Sequence, residues 1–127
     1  MRTILIVAAG GCLGALARYG LSRFIAQIYP SSFPLGTFII NVTGSFAIGF
    51  LFEISERFAI SPDVRAFIAI GFLGAYTTFS TYALESINLV RDGELRLFLT
   101  NILLSNIAGL FAVIFGIYIA RFLIKNF

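Results

Sequence analysis

"GFLGAYTTFSTYALE" (Gly71–Glu85) lies inside a long apolar segment, and its reading decides what kind of helical fold the chain makes. Gly71 and Gly74 each lower helix stability by up to about 1 kcal/mol relative to alanine. Thr77 and Thr78 are β-branched, and their hydroxyls can bond back to carbonyls one turn earlier, which bends a helix. Together these residues favour a break near Gly74–Thr78. The plainer alternative is a gently kinked helix that packs through its glycines. Freed backbone groups inside a bilayer need a buried or hydrated place, and breaks of this kind commonly form ion sites. Exposed carbonyls there suit a small hard cation.

The chain around this stretch has 127 residues, 59% hydrophobic and 12% charged, with a mean hydropathy of +0.98. So little polar surface makes a bilayer the natural solvent. A transmembrane helix takes roughly 20 apolar residues, and the apolar runs lie at about residues 3–28, 36–58, 64–89 and 97–123. The expected fold is an all-α membrane protein, residues 1–127 forming a single four-helix transmembrane domain, because open sheets leave backbone groups unpaired in hydrocarbon. Met1-Arg2 before an apolar run also opens a signal peptide, but the run passes any plausible cleavage site and is read as the first span. Cys12 is the only cysteine and histidine is absent. That removes an intrachain disulfide, a thiolate metal cluster and the commonest general base. No basic-aromatic module points to nucleic acid. With almost no surface outside the membrane, an enzyme is not expected.

Four spans place both termini and the middle loop on one side, with Arg2, Arg57, Arg65, Arg121 and Lys125. Arg91 and Arg96 lie opposite, with Arg18 and Arg23 near the end of the first span. Cation asymmetry orients membrane proteins, and here it is nearly balanced. Either the chain has a weak bias, or it inserts both ways and pairs antiparallel with itself.

Each span carries a stripe of small or polar residues, the usual mark of a packed face in lipid. The first has Gly11, Gly14, Ala15, Arg18 and Ser22; the second Thr37, Asn41, Gly44, Ser45 and Gly49; the fourth Asn101, Ser105, Gly109 and Ala112. Most serve packing, the Gly10–Gly14 pair included. Arg18 either snorkels to the headgroups or lines an electropositive vestibule for anions. Asn41 either bonds a neighbouring helix, worth about 0.6–2 kcal/mol, or presents an amide donor to a pore. Asn101 and Asn106 have the same two readings. Glu85 either carries protons or sits near a water-filled mouth.

Beyond the break, Ser80 and Thr81 offer hydroxyls, while Phe79 and Tyr82 lie three residues apart on one face. Aromatic rings have a positive edge. Ring edges with hydroxyl and amide donors make a lining for a small, strongly hydrated anion, and the lack of a fixed charge lets the ion leave again.

The chain resembles the Fluc fluoride channels, also called the CrcB family, over essentially its whole length. The resemblance rests on "GGCLGALARY" (Gly10–Tyr19), "GTFIINVTGSFAIG" (Gly36–Gly49) and "GFLGAYTTFSTY" (Gly71–Tyr82). It implies a fluoride-selective passive channel that exports fluoride across the bacterial cell (inner) membrane. It further implies an antiparallel, dual-topology homodimer in which each subunit has a broken third helix. Two separate pores and a central sodium ion are part of that expectation. By position, the sodium ion would be held by the carbonyls of Gly74 and Thr77. The resemblance places Asn41, Phe79, Ser80, Thr81 and Tyr82 in the fluoride pathway and Arg18 at a vestibule. Glu85 and Asn101 are associated with the pore more loosely. The implied partners are fluoride, a second copy of the chain and membrane lipid. Two departures stand out: Gly74-Ala75 replaces a common Gly-Gly, and Tyr82 replaces a phenylalanine. The alternative is a small proton-coupled multidrug exporter of four spans, which needs a membrane-embedded acid; among such acids the sequence points only to Glu85.

Overall fold

Proline and glycine punctuate the chain where the apolar runs end. The structure, a computed structural model, describes residues 1–126. Helix α1 (Arg2–Ile28) stops two residues before Pro30, and α2 (Leu35–Arg57) starts directly after Pro34, since proline cannot continue a helix but suits its start. The third span, Pro62–Arg91, opens on a capped turn: Ser61 Oγ accepts the Val64 N–H at 3.3 Å, with Pro62 in the first turn. Within it follow α3 (Pro62–Arg65), a π-helical segment (Ala66–Leu73), α4 (Gly74–Tyr76) and α5 (Phe79–Arg91). Gly93, at φ 79°, makes the turn into α6 (Leu95–Lys125), a conformation that glycine adopts without penalty.

All four spans are long and apolar enough to cross a membrane. The third and fourth extend about two residues past their expected limits at each end. Few residues of each span are buried within the chain, between 11% and 22% of the most apolar window. Most of the helical surface therefore faces outward.

Close backbone approach holds the bundle together. Helix α1 packs on the π-helical segment and α2 on α6. Gly10 and Gly14 lie against the backbone of Phe67 and Phe72, and Gly71 lies reciprocally against Val7. A methyl group on Gly14 would land on the Phe72 carbonyl oxygen. At the second seam Gly49 meets Val113 and Gly116 meets Phe46, again backbone against missing side chain. The α6 stripe read from the sequence meets the α2 stripe where Gly109 faces Ser45 Oγ, and the seam runs on past its expected end at Ala112 to the buried Gly116 and Ala120.

Ion pairs tie one end of the bundle. Arg2 pairs with Asp63 at 2.7 Å, joining the start of α1 to that of the third span. Glu53, only 2% exposed, takes Arg57 on one oxygen at 3.2 Å and Arg121 on the other at 2.9 Å. This corrects the reading of Glu85 as the only acid within the spans. Glu53 is the more deeply buried, and two guanidinium groups neutralise it.

Candidate functional site

The third span leaves helical geometry at two residues, the first of which still donates its N–H to the Leu73 carbonyl at 3.0 Å. Thr77 (φ −76°, ψ 157°) and Thr78 (φ −149°, ψ 121°) both have extended ψ angles between α4 and α5. Asn41, about two turns into α2, spans the gap. Its Nδ2 donates to the Thr78 carbonyl at 3.0 Å, and its Oδ1 accepts the Thr78 N–H at 2.8 Å. One side chain thus satisfies both polar groups of an extended residue inside a membrane span, where each unsatisfied group costs several kcal/mol.

Thr78 then caps α5. Its Oγ1 accepts the Thr81 N–H at 3.2 Å and donates to Thr81 Oγ1 at 3.0 Å, with Ser80 Oγ at 3.5 Å. These diversions have a consequence upstream. In a continuous α-helix the N–H of residue i+4 bonds the carbonyl of residue i. The Thr78 N–H, which would serve Gly74, goes to Asn41; the Thr81 N–H, which would serve Thr77, goes to the Thr78 hydroxyl. The carbonyls of Gly74 and Thr77 thus forfeit their helical donors, as do those of Ala75 and Tyr76 between them, for which no backbone bond from Phe79 or Ser80 crosses the gap. Thr77 turns its own hydroxyl back to the Leu73 carbonyl at 2.9 Å. Gly44 leaves room for the Thr77 methyl, with which a Cβ at that position would collide.

Two recesses flank the gap, and Asn41 and Phe79 line both. The larger, of about 370 Å³, also meets Ser45, Gly74, Thr77 and Thr78. The smaller, of about 130 Å³, also meets Tyr82, Ser105 and Asn106. The rings of Phe79 and Tyr82 stand 5.7 Å apart with planes inclined by 47°. Asn106 Nδ2 donates to the Tyr82 hydroxyl oxygen at 3.1 Å and to the Ile102 carbonyl at 2.7 Å. A carbonyl can only accept, so it fixes which way the amide faces. The Tyr82 oxygen is therefore an acceptor here, and its own proton is free to donate elsewhere. Ser80 and Thr81 are exposed, and Phe79 is 78% exposed in the single chain.

The remaining candidates lie apart from these recesses. Asn101, 1% exposed, donates from Nδ2 to Ser86 Oγ at 3.0 Å and accepts from Ser105 Oγ at 3.1 Å. It is Asn106, one turn and a residue further along α6, that reaches an aromatic of the gap. Glu85 lines a separate recess with Ser22 and Thr37 at the α1–α2 turn, and its Oε2 is buried with no hydrogen-bond partner. Arg18 is half-buried on α1 and lines neither of the two recesses at the gap. Sequence reasoning missed the capping role of Thr78 and the pairing of Asn106 with Tyr82. A threonine three residues ahead of Thr81, at the start of a new helix, was the available sign of the first.

The family described as CrcB-like protein, Camphor Resistance (CrcB), matches residues 5–117. The chain belongs to this family. Curated relatives that cover nearly the whole of it carry the name fluoride-specific ion channel FluC. The protein from Koribacter versatilis is 52% identical over 90% of this chain and 91% of its own length. The one from Desulforapulum autotrophicum is 47% identical, over 91% and 93% respectively. A third, from Geotalea uraniireducens, is 43% identical over 95% and 98%. The CrcB-like match includes Asn41, the extended Thr77–Thr78 pair, both aromatics and Asn106.

Proposed function

We propose that this chain is a fluoride-selective passive channel of the bacterial inner membrane, a multi-pass protein and not an enzyme. The observation that carries the proposal is the donor set beside the gap. Asn41, Tyr82 and Ser105 share a recess with Phe79, the second Nδ2 hydrogen of Asn41 and the Tyr82 proton are left to donate, and no carboxylate or ammonium lines either recess. The exposed hydroxyls of Ser80 and Thr81 follow Phe79 on α5. Neutral N–H and O–H groups replace the water a small anion sheds, and the absence of an opposing charge lets it move on. Relatives named as fluoride-specific channels support fluoride as that anion.

The working unit is an antiparallel dimer with two pores. Gly74, Phe79, Ser80 and Thr81 are exposed in the single chain, at a depth where lipid offers no hydrogen bonds. A second copy covers them, and the third span then acts as a broken helix facing its counterpart. The carbonyls of Gly74 and Thr77, lacking their helical donors, are neutral oxygen ligands of the kind a hard cation takes. Among the described residues no cluster of three His, Cys, Asp or Glu side chains competes for a metal. These two carbonyls would hold a structural sodium ion at the dimer centre, where it would neutralise their dipoles. Arg18 would draw anions toward the mouth.

A proton-coupled exporter gains no support from the acids. Glu53 is paired twice and Glu85 lies outside both recesses at the gap. The deciding measurement is efflux from liposomes loaded with fluoride or chloride. Fluoride is expected to leave far faster, with no proton gradient; equal halide rates, or transport only of organic cations under a pH gradient, would overturn the proposal.

A further inference from the structure

The end of the bundle that holds Glu53 carries a basic recess with no role in the pathway above. Its volume is about 440 Å³, and it is lined by Arg57, Arg121, Ile124 and Lys125. Glu53 engages the Nε of Arg57 and the Nε of Arg121, one on each carboxylate oxygen. Both guanidinium groups are therefore held in place from below through one nitrogen, while their side chains remain 59% and 60% exposed. Among the described residues no further partner engages the outer N–H groups of the two forks. Three cations line the recess, and among the described residues Glu53 is the carboxylate that pairs with them, which leaves a surplus of positive charge in the lining.

The depth of the recess indicates what fills it. With 31 residues, α6 is about 46 Å long, well beyond the roughly 30 Å of a hydrocarbon core. Its last turns, with Arg121 and Lys125, thus reach the headgroup layer, as does Arg57 at the end of α2. Ile124 gives the recess an apolar wall. Fixed guanidinium forks match the oxygens of a phosphate, and basic pockets between membrane helices take anionic headgroups.

We propose that this recess binds the phosphate of an anionic phospholipid, with Arg57, Arg121 and Lys125 around the headgroup and Ile124 against the first part of an acyl chain. Glu53 acts as the positioning residue that fixes the two forks. The site is distinct from the anion pathway, since it shares no residue with the recesses at the gap.

The test is native mass spectrometry of the full chain in detergent with equimolar phosphatidylglycerol and phosphatidylcholine. Phosphatidylglycerol adducts should predominate. Lys125→Gln, on an exposed side chain, should cut the excess about fivefold, the effect of one cation near the surface. Arg121→Lys keeps a charge opposite Glu53 but loses the fork, and should also lower the excess while circular dichroism stays unchanged. Arg91→Gln and Arg96→Gln, at the other end of the bundle, should leave it intact. The proposal falls if the two lipids bind equally, or if Lys125→Gln and Arg121→Lys both retain the full excess. It also falls if the Arg91→Gln and Arg96→Gln variants lose as much. Complete displacement of the lipid by millimolar inorganic phosphate would mark a site for free phosphate and overturn the lipid assignment. An acidic segment from a second copy of the chain would show as adducts that appear only when the dimer is dissociated, which overturns it as well.

Discussion

Asn41 and Thr78, 37 residues apart, exchange two hydrogen bonds of 3.0 and 2.8 Å, and these join α2 to the extended gap in the third span. A carboxylate in place of the amide can accept the Thr78 N–H but cannot donate to the Thr78 carbonyl. Asn41→Asp should thus lower thermal stability in detergent by about 1–3 kcal/mol, the cost of a buried group left unpaired. It also sets a negative charge on both recesses, and a charge about 4 Å away is worth on the order of 4 kcal/mol at an intermediate dielectric. Fluoride efflux should fall by an order of magnitude or more. Flux at the original rate would mean that anions do not pass Asn41.

Phe79 is the largest exposed side chain at the gap and lines both recesses. If its ring edge faces the anion, a branched aliphatic of similar bulk removes that positive rim and keeps the packing. Phe79→Ile should slow fluoride passage while the dimer still assembles, as read by efflux and by cross-linking or size in detergent. Unchanged flux would remove the aromatic rim from the pathway.

The four spans were legible because hydrocarbon thickness sets a minimum length for each apolar run. The Gly10–Gly14 pair was legible because small residues at helical spacing mark close approach. The Asn41–Thr78 exchange was not, since one residue's polarity does not tell which of many distant carbonyls it meets. Glu53 was missed for a related reason. Arg57 and Arg121 could be counted as loop cations, but nothing local shows α6 bringing Arg121 back onto a carboxylate in α2. The π-helical segment, Ala66–Leu73, is uniformly apolar apart from Gly71, so no polar pattern betrays its wider turn.

Asn106 donates to the Tyr82 hydroxyl, and that bond should show up as coupling. Asn106→Leu is expected to cost about 1 kcal/mol of stability, a typical net hydrogen-bond contribution. Combined with Tyr82→Phe, the same substitution should cost measurably less, because the partner oxygen is already gone. Tyr82→Phe alone should weaken the concentration dependence of fluoride flux without abolishing conduction. Strict additivity of the two stability changes, measured by thermal unfolding, would show that the hydroxyl and the amide act independently.

The glycine seams predict a contrast within one helix. Gly14→Ala drives a methyl into the Phe72 carbonyl, whereas a Cβ at Gly20 meets nothing within 4 Å. The first should destabilise by about 1–3 kcal/mol, as overpacking does. Because the π-helical segment leads into α4, it should also disturb the gap. Gly20→Ala should be neutral or stabilising by up to about 1 kcal/mol through helix propensity. Equal behaviour of the two variants in a thermal-shift assay would argue against a close α1 contact with the third span.

Topology gives the last prediction. Arg2, Arg57, Arg65, Arg121 and Lys125 gather at the end where both termini lie, and Arg18, Arg23, Arg91 and Arg96 belong to the other half. Orientation follows the count of lysine and arginine near the span ends, and acidic partners such as Glu53 and Asp63 change it little. Five cations against four leave almost no bias, so a C-terminal tag should be detected from both sides of the membrane. Arg91→Gln together with Arg96→Gln makes the ratio five to two, and the tag should then collect on the cytoplasmic side. Fluoride efflux should fall in that variant, because copies of one orientation cannot form an antiparallel pair. Co-expression with a copy carrying Arg2→Gln, Arg65→Gln and Lys125→Gln, two cations against four and so biased the opposite way, should restore it. A tag found on one side only in the unaltered chain would remove the antiparallel dimer.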